Sequence, residues 1–175
     1  LEFRSTFQRV TMDNNTLTGF RNHGAAFGGF SFGDSSFSNT GEDGVRVVSI
    51  DDKTDVYRRR VGGMDLDLSA MNTVFSNNGK DGVHVGQGVS AVFGDGTAAK
   101  ANTFESNGRD GLKITQHNSP YLDNLLNFGN DRRRNVQVNY AFFVGNGNNG
   151  IDIGMDVSQE GGNSQHGDEV ASDIS

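Results

Sequence analysis

One eleven-residue phrase occurs four times in this chain without an internal gap. It reads FSNTGEDGVRV from Phe37, FSNNGKDGVHV from Phe75, FESNGRDGLKI from Phe104 and FVGNGNNGIDI from Phe143. The shared rule is Phe-x-x-(Asn or Thr)-Gly-x-(Asp or Asn)-Gly-aliphatic-x-aliphatic. A single Asn-Gly marks only a turn. Four copies of a turn joined to a strand mark a repeating supersecondary unit, and a unit of this kind buries its apolar face only by packing against its neighbours.

Each position has a physical role. The closing V-x-V, L-x-I or I-x-I has period two, so two side chains point inward and one outward. The preceding glycine suggests entry to the strand from a left-handed or bulged backbone. Asn/Thr-Gly makes the corner, the Asp or Asn caps backbone N–H groups there, and the Phe fills the interior. Weaker strand signals stand at Leu66–Leu68, Ala91–Phe93 and Val136–Val138. The phenylalanines are 38, 29 and 39 residues apart. No helical period runs through the unit, which excludes the ankyrin, tetratricopeptide and leucine-rich alternatives. The spacing predicts coils of short strands, each pairing in parallel with the next, with like side chains stacked about 4.8 Å apart. Phe would form an interior ladder, and Asn and Asp would form polar ladders at the corners.

These repeats resemble the short N-x-F-x-x-N-G-x-D-G-I-x-I units of the right-handed parallel β-helix, or pectin-lyase-like, superfamily. The resemblance covers residues 35–155, and the stretch DNNTLTGFRNHGAAFGGFSF at 13–32 looks like degenerate coils. It implies an all-β fold, a single-stranded right-handed parallel β-helix with two loop insertions. The expected β-helix domain covers 1–160, as a segment of a longer protein, followed by a polar tail over 161–175. Open coil ends expose strand edges, so the rest of the parent chain or another copy is expected against them.

Composition agrees. Gly (25) and Asn (19) form a quarter of the 175 residues, as many tight turns require. The net charge of −7 argues against nucleic acid as the main partner. There is no cysteine, hence no disulfide framework or thiolate metal site. No apolar run is long enough to span a membrane. The reading is an extracellular or cell-surface location.

The two longer spacings place their excess after the repeat strand, in SIDDKTDVYRRRVGG (49–63) and TQHNSPYLDNLLNFGNDRRR (115–134). In the second, Ser119, Pro120, Leu122, Leu125, Leu126 and Gly129 have the pattern of a short helix. Each insertion carries a tyrosine and an arginine triplet: Tyr57 with Arg58, Arg59 and Arg60, and Tyr121 with Arg132, Arg133 and Arg134. The two triplets thus place six of the fifteen basic residues in two loops of an acidic chain. Arginine forks suit carboxylate or sulfate, and tyrosine faces suit sugar rings, so Tyr57, Arg58, Arg60, Tyr121, Arg132 and Arg134 are candidate contacts to an acidic polysaccharide. The competing reading pairs the arginines with Asp51, Asp52, Asp55 and Asp131.

The outward positions of the repeat strand are Arg46, His84, Lys113 and Asp152, and stacking puts them in one column. Such a mixed column resembles the sites of polysaccharide lyases and epimerases in this superfamily. By that resemblance His84 or Lys113 would be the base that removes the proton α to a uronate carboxylate, Arg46 would hold the carboxylate, and Asp152 would contact substrate. The competing reading is a solvated sheet face. The Tyr-Gly-x-Asp-Pro-His run expected of the lyase and epimerase motifs is absent. Calcium is the favoured ion if one binds, at Asp43, Asp81, Asp110 and Asn149, which stack at one corner. The same turn also works by capping alone. The four histidines show no ligand spacing. Two functions remain open: recognition, with or without lyase- or epimerase-like processing, of an acidic polysaccharide; or a non-catalytic structural module of an adhesin, stalk or phage tail-spike.

Overall fold

The computed structural model describes residues 2–23, 27–48, 66–86, 89–116 and 136–155. The alternating apolar pattern resolves into fifteen short strands among these residues, and the chain visits three sheets in rotation. The first sheet holds β1 (Glu2–Gln8), β4 (Phe27–Gly33), β7 (Leu66–Met71), β10 (Val89–Phe93) and β13 (Val136–Val138). The second holds β2 (Thr11–Asp13), β5 (Ser36–Ser38), β8 (Val74–Ser76), β11 (Asn102–Glu105) and β14 (Ala141–Val144). The third holds β3 (Phe20–His23), β6 (Val45–Val48), β9 (Val83–Val85), β12 (Leu112–Gln116) and β15 (Ile151–Met155). Every neighbouring pair is parallel. The described residues therefore form an all-β stack of five three-strand turns, with a 3-10 helix, Ala98–Lys100, between β10 and β11. No helix among the described residues is long and apolar enough to cross a membrane.

The register is the one the repeat demands. Phe37 pairs with Phe75, Phe75 with Phe104 and Phe104 with Phe143. Their rings stack at 5.6, 5.0 and 4.7 Å with interplanar angles of 11°, 19° and 8°. Phe37, Phe75 and Phe104 are fully buried beside columns of Val45, Val83 and Leu112 and of Val47, Val85 and Ile114. Each buried phenylalanine contributes on the order of 2–3 kcal/mol. The weaker strand signals are β7, β10 and β13, whose Leu68, Ala91 and Val136 align. The first turn is built from residues 2–23, with Met12 under Phe37 and Phe20 under Val45, and the degenerate stretch at 13–32 supplies its last strand and most of β4.

The corner between the second and third sheets is a hydrogen-bonded ladder. Asn78 Nδ2 donates to Phe37 O (3.1 Å) and to Asn107 Oδ1 (2.9 Å), while its Oδ1 accepts from the Thr40 amide (3.2 Å) and hydroxyl (2.9 Å). Asn107 repeats this one coil on, donating to Phe75 O (3.0 Å) and Asn146 Oδ1 (2.9 Å). Both amide hydrogens and the oxygen of each buried asparagine are satisfied, as burial requires.

Two local expectations change. The left-handed residue of this corner precedes the Asn/Thr-Gly pair: it is Asn39 (φ 51°), Asn77 (52°), Ser106 (53°) or Gly145 (61°). The glycine before the strand is not left-handed. Gly82 is required by close approach, because a Cβ there would stand 2.6 Å from Gly111 O and 2.9 Å from Asn107 Nδ2. The corner has no room for a side chain where successive coils touch.

Residues 49–65 and 117–135 both join a third-sheet strand to a first-sheet strand, β6 to β7 and β12 to β13. They lie outside the described residues, as do the expected helix within the second of them and the tail over 161–175.

Candidate functional site

The outer face of the third sheet carries the expected column. Arg46 pairs in register with His84, His84 with Lys113 and Lys113 with Asp152. The column extends one coil further than the repeat indicates, since Arg21 pairs with Arg46. Arg21 escaped the sequence argument because its coil has Phe20-Arg21-Asn22 in place of aliphatic-x-aliphatic; the period-two position was the available signal. Tyr57, Arg58, Arg60, Tyr121, Arg132 and Arg134 lie outside the described residues, as do Asp51, Asp52, Asp55 and Asp131.

Asp43, Asp81, Asp110 and Asn149 stack at the corner that feeds this sheet, three residues before each column member. Each carboxylate caps the next coil: Asp43 Oδ1 accepts the Asp81 amide (3.2 Å), Asp81 Oδ1 the Asp110 amide (3.3 Å), and Asp110 Oδ1 the Asn149 amide (3.1 Å). Asn149 Nδ2 also donates to Asp110 Oδ1 at 3.0 Å. The caps thus act between coils rather than within one turn. Asp43, Asp81 and Asp110 are only 1–2% exposed. Burial pushes the Asp43 and Asp81 carboxyls above their ordinary value, and the charge of Asp43 raises Asp81 further. At every aspartate rung the amide of the next coil engages Oδ1, so the ladder works by capping between coils.

The cations of the column lean on the ladder behind it. Arg46 Nη1 is 3.5 Å from Asp43 Oδ2, and Arg109 Nε, another residue the motif did not flag, is 3.5 Å from Asp81 Oδ1. Lys113 Nζ lies 2.8 Å from Asp152 and 4.0 Å from Asp110. His84 Nε2 hydrogen-bonds Thr115 Oγ1 at 3.1 Å while Nδ1 stands 4.0 Å from Asp43 Oδ2. Thr115, the next outward residue after Lys113, is a positioning partner that only the fold reveals. Chemically, the column is a row of basic and acidic side chains anchored from behind, with Lys113 paired to Asp152 and His84 hydrogen-bonded to Thr115.

A cleft of about 490 Å³ lies elsewhere, at the last coil, lined by Val138, Tyr140, Ala141, Phe142, Phe143 and Ile151. No family model, curated protein or solved structure matches this chain.

Proposed function

We propose that this chain is a right-handed parallel β-helix module of the pectin-lyase-like type from an extracellular or cell-surface protein, and that its work is mechanical: a stiff, non-catalytic stalk or adhesin segment. Right-handedness follows from the strong preference of parallel crossovers. The observation that carries the mechanical reading is the engagement of the candidate catalytic groups within the scaffold. Lys113 is held by Asp152, and His84 is held through Nε2 by Thr115 while its Nδ1 faces inward, towards buried Asp43, rather than outward to a substrate. A general base must bring a lone pair within reach of the proton it removes. Strand β14 also leaves the outward-facing Phe142 and Val144 about half exposed, an apolar patch on the side of the stack suited to a partner surface such as a second copy.

A second reading is favoured by one specific feature. Arg21, Arg46, His84 and Lys113 form a row of basic side chains at interstrand spacing, which suits the regularly spaced carboxylates of an acidic polysaccharide. The test is incubation with polygalacturonate, alginate and related glycans, followed by unsaturated-uronate absorbance, by NMR for epimerisation and by array binding. The mechanical reading expects neither product nor binding. Salt-sensitive binding lost in Arg46→Ala establishes the second reading, and turnover overturns the claim that the module is non-catalytic.

A further inference from the structure

The back of the column contains a constellation that the mechanical reading does not use. Ligand atoms of Asp43, Asp81 and His84 all lie within 4.8 Å of one another. Asp43 is 1% exposed, and its Oδ2 is buried without a hydrogen-bond partner. That oxygen points at His84 Nδ1, 4.0 Å away. A buried carboxylate oxygen with no donor is costly, and native structures resolve such atoms with a donor, water or ion. Arg46 approaches it to 3.5 Å without hydrogen-bonding it, and its side chain is 35% exposed, so it can swing into solvent.

The groups behind these atoms are already arranged as metal ligands require. Asp43 and Asp81 are each fixed through Oδ1 by an amide of the next coil. The His84 ring is fixed through Nε2 by the Thr115 hydroxyl, so that Nδ1 is the atom directed at the carboxylates. Oriented carboxylates and an imidazole held by its far nitrogen are the outer-shell features of a metal site. One imidazole nitrogen with two carboxylate oxygens is a borderline N/O donor set of three. It suits a tetrahedral zinc-class divalent ion with a fourth, open position, and it is too small and too nitrogenous for calcium.

We propose that Asp43, Asp81 and His84 bind one zinc-class divalent cation, which ties the second coil to the third. Asp43 comes from the coil of β6, and Asp81 and His84 come from that of β9, so the ion bridges two rungs of the stack. It neutralises two buried, mutually repelling carboxylates and displaces the Arg46 guanidinium outward. This inference does not depend on the mechanical reading, since an ion here would brace a stalk and a glycan-binding face alike.

The experiment uses the full chain after chelator treatment. Zinc chloride is titrated in by calorimetry, with calcium chloride as the comparison, and the thermal midpoint is recorded with and without zinc. Saturable one-to-one zinc binding is expected, with a rise of about 5–11 °C when zinc is in hundredfold excess over Kd. Asp43→Asn and His84→Gln should each weaken it at least about tenfold, and Thr115→Ala should do so by about 10–100-fold through loss of ring positioning. His166→Gln should leave it unchanged. If a substitution unfolds the chain, the intact protein still decides. Zinc must shift one imidazole of the four, the one with cross-relaxation to Thr115, and cobalt must give a tetrahedral visible spectrum. No saturable zinc binding, equal binding by the variants, or a shift at another histidine overturns the proposal.

Discussion

Asp81→Asn is a substitution for which the molecule supplies its own precedent. At the equivalent position one coil past Asp110 stands Asn149, which donates both its amide N–H (3.1 Å) and its side-chain Nδ2 (3.0 Å) to Asp110 Oδ1. In wild type, Asp81 donates only its backbone amide to Asp43 Oδ1, at 3.2 Å. An asparagine there keeps Oδ1 for the Asp110 amide and adds an Nδ2 donor to Asp43. A hydrogen bond to a charged group contributes about 1.5–3 kcal/mol. The substitution also removes a carboxylate that Asp43 and Asp110 repel. It loses the 3.5 Å approach of Arg109, whose side chain is 41% exposed; such a pair contributes about 0–1 kcal/mol. The net expectation is a stabilisation of about 1.5 kcal/mol at pH 7 with chelator present, or about 3–6 °C in the midpoint. The pH dependence gives an independent check. Burial raises the Asp81 carboxyl above 3.8, so the folded state holds its proton more tightly than the unfolded chain. Its contribution to stability is complete below pH 3.8 and is lost as pH rises through the folded value. Asp13, Asp34, Glu42 and Asp95 are shifted downward and act with the opposite sign, being lost on acidification. The wild-type minus variant difference cancels those four groups and leaves Asp81 with its coupling to Asp43 and Asp110, so the gain should shrink towards pH 4. Chemical denaturation at pH 4 and pH 7 measures it. A variant less stable than wild type at pH 7, or a difference that does not change with pH, refutes the reasoning.

The Asn ladder and the corner glycines yield two more expectations. Asn107→Ala removes the side-chain donor to Phe75 O and the acceptor of the Asn78 amide and Nδ2 in a buried corner, while Asn146 Oδ1 keeps the Asn107 backbone amide, so a loss of roughly 3–5 kcal/mol is expected in urea titration; a loss below 1 kcal/mol would remove the ladder from the account. Gly82→Ala forces a methyl to within 2.6 Å of Gly111 O, backbone that cannot retreat without separating two coils, so a midpoint drop of several degrees is expected, whereas Gly96→Ser, with nothing within 4 Å of its Cβ position, should be much milder despite its φ of +88°.

What the sequence made legible follows from how stacking works. A parallel coil superimposes like residues, so Phe37, Phe75 and Phe104 announce their own contact, and the Arg46, His84, Lys113 and Asp152 column follows from the same arithmetic. The inter-coil caps of Asp43, Asp81 and Asp110 were visible as a stack but not in their direction. A turn residue has donors within reach in its own turn as well as in the next, and only the backbone geometry selects between them. The glycine of the Asp-Gly pair was misread for the same reason: glycine serves both positive φ and close approach, and sequence does not separate the two. Arg21 and Thr115 were harder to read, because one lies in a coil where only the period-two position survives the decay of the aliphatic pattern and the other lies past the end of the repeat phrase. Metal-ligand spacing was also hidden. Asp43 and His84 are far apart in sequence and meet only because one coil lies on the next.

The central claim is that the repeats stack in parallel with Phe75 against Phe104, and engineered cysteines test it most directly because the chain has none of its own. Ser76 and Glu105 pair in register on the outer face of the second sheet, at a separation a disulfide can span. Ser76→Cys with Glu105→Cys should form an intramolecular disulfide under mild oxidation, measured by mass spectrometry and non-reducing electrophoresis. Ser76→Cys with Thr103→Cys, two residues out of register, should remain reduced under the same conditions. A crosslink in the second pair and none in the first would contradict the stacked register and everything built on it.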